Sequence, residues 1–260
     1  MLKLKNPEYQ LVTMLKYLPK KHFLNNKTIL ITGAGDGIGK RLAITYAQYG
    51  ATVILLGKTV KKLEDVYDEI IKIDGPEPAI VPLDLKGATA KHYQDMANTI
   101  IDQFGHLDGL VHNASFVGHI GPFGQITEED WNAVFQVNIH SQFLMTQALL
   151  PALKKSDKSS VIFTSSDLGI KGKAYWGPYS VSKFATQGMM QVLADEYENT
   201  NIRFNCINPG PTRTSLRAKA FPGEDPSKLK TPEKIMSCYL YLMDSDNNTD
   251  TGKTIDCQVK

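Results

Sequence analysis

The run Thr28 to Thr32 is β-branched and apolar, and it leads straight into Thr32-Gly33-Ala34-Gly35-Asp36-Gly37-Ile38-Gly39. A buried strand that ends in a glycine turn and reopens as a helix demands much of the whole chain. It belongs in a parallel sheet, whose strands must be joined by crossover helices. Glycine lets the backbone turn tightly and approach a ligand with no Cβ in the way, and a helix starting near Gly37 offers unpaired N–H groups to a pyrophosphate. The spacing is Gly-x-x-x-Gly-x-Gly. On its own such a turn is weak evidence; inside a repeated strand–helix pattern it gains weight.

That pattern continues. Strands are expected at Thr52 to Leu56, Ala79 to Leu83, Leu107 to Val111, Val161 to Thr164, Arg203 to Ile207 and Thr254 to Asp256. Between them the sequence predicts helices over Val60 to Ile73, about Ala88 to Phe104, from Thr127 and Asp130 up to Pro151, around Tyr179, and from Pro232 to Met243. Ser215 to Lys230 has no clear periodicity. The 260 residues suit one α/β domain over 24–260, preceded by an arm at 1–23. Lys3, Lys5, Lys16, Lys20 and Lys21 surround Leu11, Val12, Met14, Leu15 and Leu18 in that arm, which reads as poorly ordered or loosely docked rather than as a membrane coat. Met14 is a candidate start.

Composition narrows the function classes. A net charge of +2 without a clustered basic face argues against nucleic acid as a partner. No apolar run reaches membrane-span length and the N-terminus lacks a secretory core, so no integral membrane segment is expected and the cytoplasm is. Cys206, Cys238 and Cys257 are scattered, which fits a reducing compartment, and neither they nor the histidines show ligand spacing. No metal site is expected.

The chemistry gathers on Tyr179 and Lys183, whose spacing puts a phenol and an ammonium on one helix face. A neighbouring cation favours the phenolate, at about 1.4 kcal/mol per pKa unit, so bringing the phenol near neutrality asks for about 4 kcal/mol. With 11 tyrosines, one such pair is expected by chance; Tyr17 and Lys21 match too, but Pro19 breaks the helix between them. Tyr179 and Lys183 differ because Ser165-Ser166 ends a strand just upstream. Gly57 and Lys58 end the second strand, where a cation would pair with a 2′-phosphate, favouring NADP(H) over NAD(H). Asp36 in the glycine turn weighs the other way, and Lys58 as a solvated surface lysine is the alternative. Asp84 could meet an adenine amino group or cap the next helix. His112-Asn113-Ala114-Ser115 is a small-residue turn that leaves room for a cofactor's middle. Asn138 is a poor helix former, so its amide has a use elsewhere: capping, a satisfied buried amide and catalysis stay open. Pro209, Gly210 and Pro211 fix a loop that can approach a ligand closely.

Taken together, the glycine spacing, His112-Asn113-Ala114, Asn138, Ser166, Tyr179/Lys183 and Pro209-Gly210 resemble the short-chain dehydrogenase/reductase family, over Leu24 to Asp256. Trp176 to Tyr197 and Asn205 to Lys230 resemble its YciK-like bacterial oxidoreductase branch. The resemblance implies a single Rossmann-type, doubly wound domain with seven parallel strands. It implies Tyr179 as acid/base, Lys183 holding the nicotinamide ribose and lowering the tyrosine pKa, Ser166 on the substrate oxygen, and Asn138 supporting a water-linked proton path. It further implies Gly33, Asp36, Gly37, Ile38 and Gly39 around the pyrophosphate, Lys58 and Asp84 near the adenosine, and Asn113 in the central sheet. Pro209, Gly210, Thr212 and Thr214 fall on its nicotinamide-side loop.

The expected activity is hydride transfer between NADP(H) and a small carbonyl or alcohol, and the alternative is a nucleotide-sensing or scaffold protein without significant turnover. A homodimer or homotetramer is implied, through helices around 135–150 and 179–198, with Met189, Met190 and Leu193 either packing there or facing the sheet. Ser115 departs from the family's usual glycine, and Asp256-Cys257-Gln258 from its Asp-Gly-Gly. Arg213, Arg217 and Lys219 oppose Glu224 and Asp225 in the 215–230 loop, which reads as a solvated polar lid or as a site for an anionic thioester or phosphorylated substrate.

Overall fold

The computed structural model describes residues 16–258. The expectations for Lys3, Lys5, Leu11, Val12, Met14 and Leu15 lie outside them. Seven parallel strands form one sheet in the order β3-β2-β1-β4-β5-β6-β7. They are β1 (Thr28–Thr32), β2 (Thr52–Gly57), β3 (Ala79–Pro82), β4 (Gly109–His112), β5 (Ser159–Thr164), β6 (Ile202–Asn208) and β7 (Thr254–Asp256). The central strands are buried on both faces, which is why they read as continuous apolar runs rather than alternating ones. All five residues of β1 are buried.

Helices α1 (Gly37–Gln48), α2 (Val60–Lys72) and α3 (Ala90–Phe104) cross between the first strands. After β4 come α4 (Glu128–Phe135), a π-helical segment (Gln136–His140) and α5 (Ser141–Lys154). The long α6 (Gly177–Glu196), the short α7 (Ser215–Ala220) and α8 (Met236–Met243) complete the set. One face of the sheet is covered around Leu42, Tyr46 and Tyr239, the other around Tyr93, Leu149 and Met190.

The structure amends several expectations. Helix α5 does not end at Pro151 but runs through it to Lys154. The proline removes one helical donor at about 3 kcal/mol, but burying Ala152 and Leu153 beyond it outweighs that loss. A short helix, α7, lies in the segment without periodicity. Met190 is fully buried against the sheet with Met189 and Leu193 beside it, so those three face inward. Near the N-terminus the Tyr17 ring meets Tyr241 edge-on and its hydroxyl donates to Asp244, while Phe23 packs on Tyr49.

Strand order reverses direction between β1 and β4, leaving a crevice at their carboxyl ends, where open α/β sheets bind ligands.

Candidate active site

Three turns line that crevice. Thr32 locks the first two together: its hydroxyl accepts the N–H groups of Asn113 and Ala114, each at 3.0 Å, and Asn113 Nδ2 donates back to the Thr32 carbonyl at 3.1 Å. Above this clamp the glycine turn is as tight as its sequence suggests. Gly33 and Gly37 have φ of +67° and +53°, and a Cβ on Gly39 would lie 2.2 Å from the Gly33 carbonyl oxygen. A Cβ on Gly37 would come within 3.1 Å of the Thr214 methyl, so the loop after β6 closes over the same spot. Helix α1 starts here with no acidic residue in its first turn. A cradle open only to glycine, facing an uncompensated helix N-terminus, fits a dinucleotide pyrophosphate.

Asp36 precedes α1, but its carboxylate turns outward. It accepts from Lys62 Nζ at 2.5 Å and the Ser215 hydroxyl at 2.8 Å. Burial opposes its charge, but these bonds outweigh burial and hold the carboxyl below its usual range. Lys62, on the first turn of α2, is thereby held against the glycine turn, and Lys58 is exposed just after the end of β2. Sequence reasoning missed Lys62, although its position one turn past the end of β2 was the available signal. Asp84 accepts from the Lys86 N–H at 3.0 Å, so it does turn-forming work where it stands. Thr212 is buried and its hydroxyl donates to the Gly210 carbonyl at 3.1 Å, inside its own loop. Thr214 caps α7 by accepting the Arg217 N–H at 3.1 Å. Gly210, with φ +62°, lies beneath the Gln258 side chain, whose amide reaches Asp167; the departure at 256–258 thus ties the C-terminal segment to the turn after β5.

The proton-active groups stand on the other wall. Tyr179 is 8% exposed and Lys183 1%, the latter donating to the Thr164 carbonyl at 2.8 Å, with its Nζ 5.5 Å from the Tyr179 ring centre. Burial pushes Tyr179 up to about 12, and the opposing influences are hydrogen bonds with Ser115 and Ser166 and the charge of Arg217. This differs from the resemblance, which makes Lys183 the group that lowers the phenol. Here the ammonium is drawn to the end of β5 and is itself pushed down to about 8 by burial.

Asn138 sits in the π-helical segment, fully buried. Such local widening recurs at functional sites. Its Oδ1 accepts the Phe116 N–H at 2.8 Å and the Ser115 hydroxyl at 3.3 Å, and its Nδ2 donates to the Phe116 carbonyl at 2.9 Å and Ser182 at 3.0 Å. Of the readings open from spacing, the satisfied buried amide describes the side chain as it stands. Ser115, read from sequence only as a bulkier replacement for glycine, joins Asn138 to the Tyr179 hydroxyl. His112 is buried and pushed down to about 3, neutral, its Nε2 at 2.8 Å from Thr146.

The outer wall is aromatic. Tyr175 holds a left-handed φ of +73°, and its carbonyl accepts the Gly121 N–H at 3.0 Å, joining the two loops that flank Tyr179. Trp176 lies 5.7 Å from Tyr179 and 5.3 Å from Phe221 of the lid, centroid to centroid. Among the described residues no His/Cys/Asp/Glu group is arranged to hold a metal, and no helix is long and apolar enough to cross a membrane.

The Lys183 environment carries a pH signature. Its folded pKa lies below the unfolded value of 10.5, so between about 8 and 10.5 the unfolded chain binds the extra proton and stability rises with pH. Burial pushes Cys206, Cys257 and several tyrosines the other way, so the Lys183 contribution is read as a difference: in urea unfolding from pH 8 to 10 the parent should gain stability relative to Lys183→Met.

A doubly wound parallel sheet with a glycine cradle at its switch point and a tyrosine, lysine and serine gathered beside it defines a nucleotide-dependent oxidoreductase. The chain belongs to the short-chain dehydrogenase family, whose model matches residues 27–225. It is 51% identical over 244 residues to the uncharacterized oxidoreductase YciK of Escherichia coli (strain K12), covering 94% of this chain and 96% of that one. A short chain dehydrogenase from Shigella flexneri 2a complexed with NADP superposes with a TM-score of 0.88 at 51% identity, covering 92% of this chain and 100% of the other. One from Escherichia coli CFT073 complexed with NADPH gives 0.90 at 51% identity, over 93% and 100%. The chain is thus an enzyme of this family, and the resemblance read from its motifs holds.

Proposed function

We propose that the protein is an NADP(H)-dependent carbonyl reductase, or alcohol dehydrogenase in reverse, with Tyr179 as its acid/base. The observation that carries this is the buried Tyr179 phenol, whose proton Ser115, Ser166 and the Arg217 charge loosen against burial, with Lys183 one turn further on the same helix. Bound nicotinamide supplies the hydride. Ser166 and Tyr179 would each offer a hydroxyl to a carbonyl oxygen bound between them, and Tyr179 would give its proton as negative charge develops there. Ser115 has a single hydrogen, directed at Asn138 Oδ1. Rotating it toward the phenolic oxygen once that proton has left would stabilise the phenolate, a part a glycine cannot play. Lys183 adds positive charge when protonated.

Lys58 and Lys62 support the preference for NADP(H), together with the coenzymes of the two neighbours. The test is turnover of a ketone, aldehyde and 3-oxoacyl thioester panel with NADPH and with NADH, followed by nicotinamide absorbance. NADPH should be the better coenzyme, and removing both lysines should narrow its advantage about 10-fold or more, as expected for lost charge-assisted bonds. Tight coenzyme binding with no turnover on any substrate would favour the sensing or scaffold alternative instead. An oligomer is supported by Phe143 on α5 and Val181, Phe184 and Val192 on α6, all exposed on the outer side of the helices that the family pairs. Light scattering on Phe184→Glu should then report a smaller particle than the parent.

A further inference from the structure

Arg217 belongs to a loop that sequence reasoning could leave in solvent, yet it is only 23% exposed. Its guanidinium lies 3.6 Å from the Phe221 ring centre, Phe221 packs on Trp176, and Trp176 packs on Tyr179. Glu224, seven residues on, grips it with both oxygens: Nε to Oε2 and Nη2 to Oε1, each at 2.6 Å. The charge of Arg217 is nonetheless felt at the Tyr179 hydroxyl. A planar cation stacked on an aromatic shelf beside the catalytic phenol is a ready-made receptor for a carboxylate. The lid's own carboxylate is sitting in it.

We propose that Arg217 binds the carboxylate of an oxo-acid substrate and that Glu224 is the internal occupant which that carboxylate replaces. This rests on the carbonyl-reductase reading and narrows it to a substrate class. Exchanging one carboxylate for another on the same fork keeps both hydrogen bonds, so the exchange itself costs little. Glu224 competes from the same short loop at high effective concentration, so an isolated carboxylate loses to it. A molecule that also places a carbonyl between Ser166 and Tyr179 gains the contacts needed to win. Specificity for acids with a correctly spaced carbonyl follows. Trp176 and Phe221, packed between Tyr179 and Arg217, suit an apolar body between the two ends.

The experiment compares the series from 3-oxobutanoate to 7-oxooctanoate with the corresponding methyl esters, using NADPH and the full-length protein. The quantity read is the KM of each acid divided by that of its ester, and one spacer length should be preferred. Arg217→Gln should raise that ratio for the preferred acid, by less than the about 10- to 100-fold of one charged hydrogen-bonded pair, because Glu224 competes for the same fork in the parent. Glu224→Gln should lower it, because the competitor is gone. A damaged lid cannot produce that gain, so the second variant separates recognition from folding. Ratios unmoved by both substitutions, or a Glu224→Gln ratio that rises, would overturn the proposal. Esters reduced with no preference for acids would defeat it while sparing the carbonyl-reductase reading; no reduction of either series would remove both.

Discussion

Tyr179→Phe is expected to lower turnover by about 10³-fold, in the middle of the range a positioned acid typically supplies. The substitution removes one oxygen and leaves the ring between Trp176 and Lys183 in place. Fluorescence titration should therefore show coenzyme affinity falling far less than turnover. The loss should not be recovered at any pH, because the vacated proton donor is not replaced by Ser115 or Ser166, whose hydroxyls stay protonated across the accessible range. Retention of more than a tenth of the parent rate would mean that another group delivers the proton. Stability should change by about 1 kcal/mol, the net worth of the hydrogen bonds lost.

The second large effect falls on the coenzyme side. Gly39→Ala places a methyl 2.2 Å from the Gly33 oxygen, 2.8 Å from the Gly33 carbonyl carbon and 2.6 Å from Asn113 Nδ2. Two of these are backbone atoms, and Asn113 is held by its bond to Thr32, so none yields cheaply. A loss of about 3 kcal/mol in urea unfolding is expected, at the upper end of usual overpacking costs. Coenzyme affinity should fall with it, because relieving the clash means opening the turn that presents its N–H groups. Gly87→Ala is the matched control. Nothing lies within 4 Å of a Cβ there, so both quantities should stay near the parent's.

Much of this was legible before the coordinates. Strands β1 and β7 begin and end where their runs do, the glycine turn follows β1 into a helix, and Tyr179 and Lys183 share one helix, with the Lys183 ammonium at the end of β5. Such features are local: burial on both faces, a turn that only glycine can make, two side chains on one helical face. What escaped depends on contacts between distant segments. The π-helical widening around Asn138 leaves no mark in hydropathy, because the apolar stripe of α4 and α5 continues past it. Ser115 gains its meaning from Asn138 and Tyr179, distant in sequence. The pairing of Asp36 with Lys62 and Ser215 joins three elements, and the inward turn of Met190 depends on which face of α6 meets the sheet. Helix α7 is too short for periodicity to declare itself.

The segment beyond β6 departs and returns at one place. Thr212 bridges Lys230, and the Arg213 N–H donates to the Lys230 carbonyl at 2.8 Å. Since its two ends already touch, lengthening or rewriting what lies between adds little closure entropy and no strain to the sheet. Transplanting 216–229 from a relative should therefore carry that relative's taste in substrates into this scaffold, while Thr214 and Ser215 keep their contacts with the glycine turn.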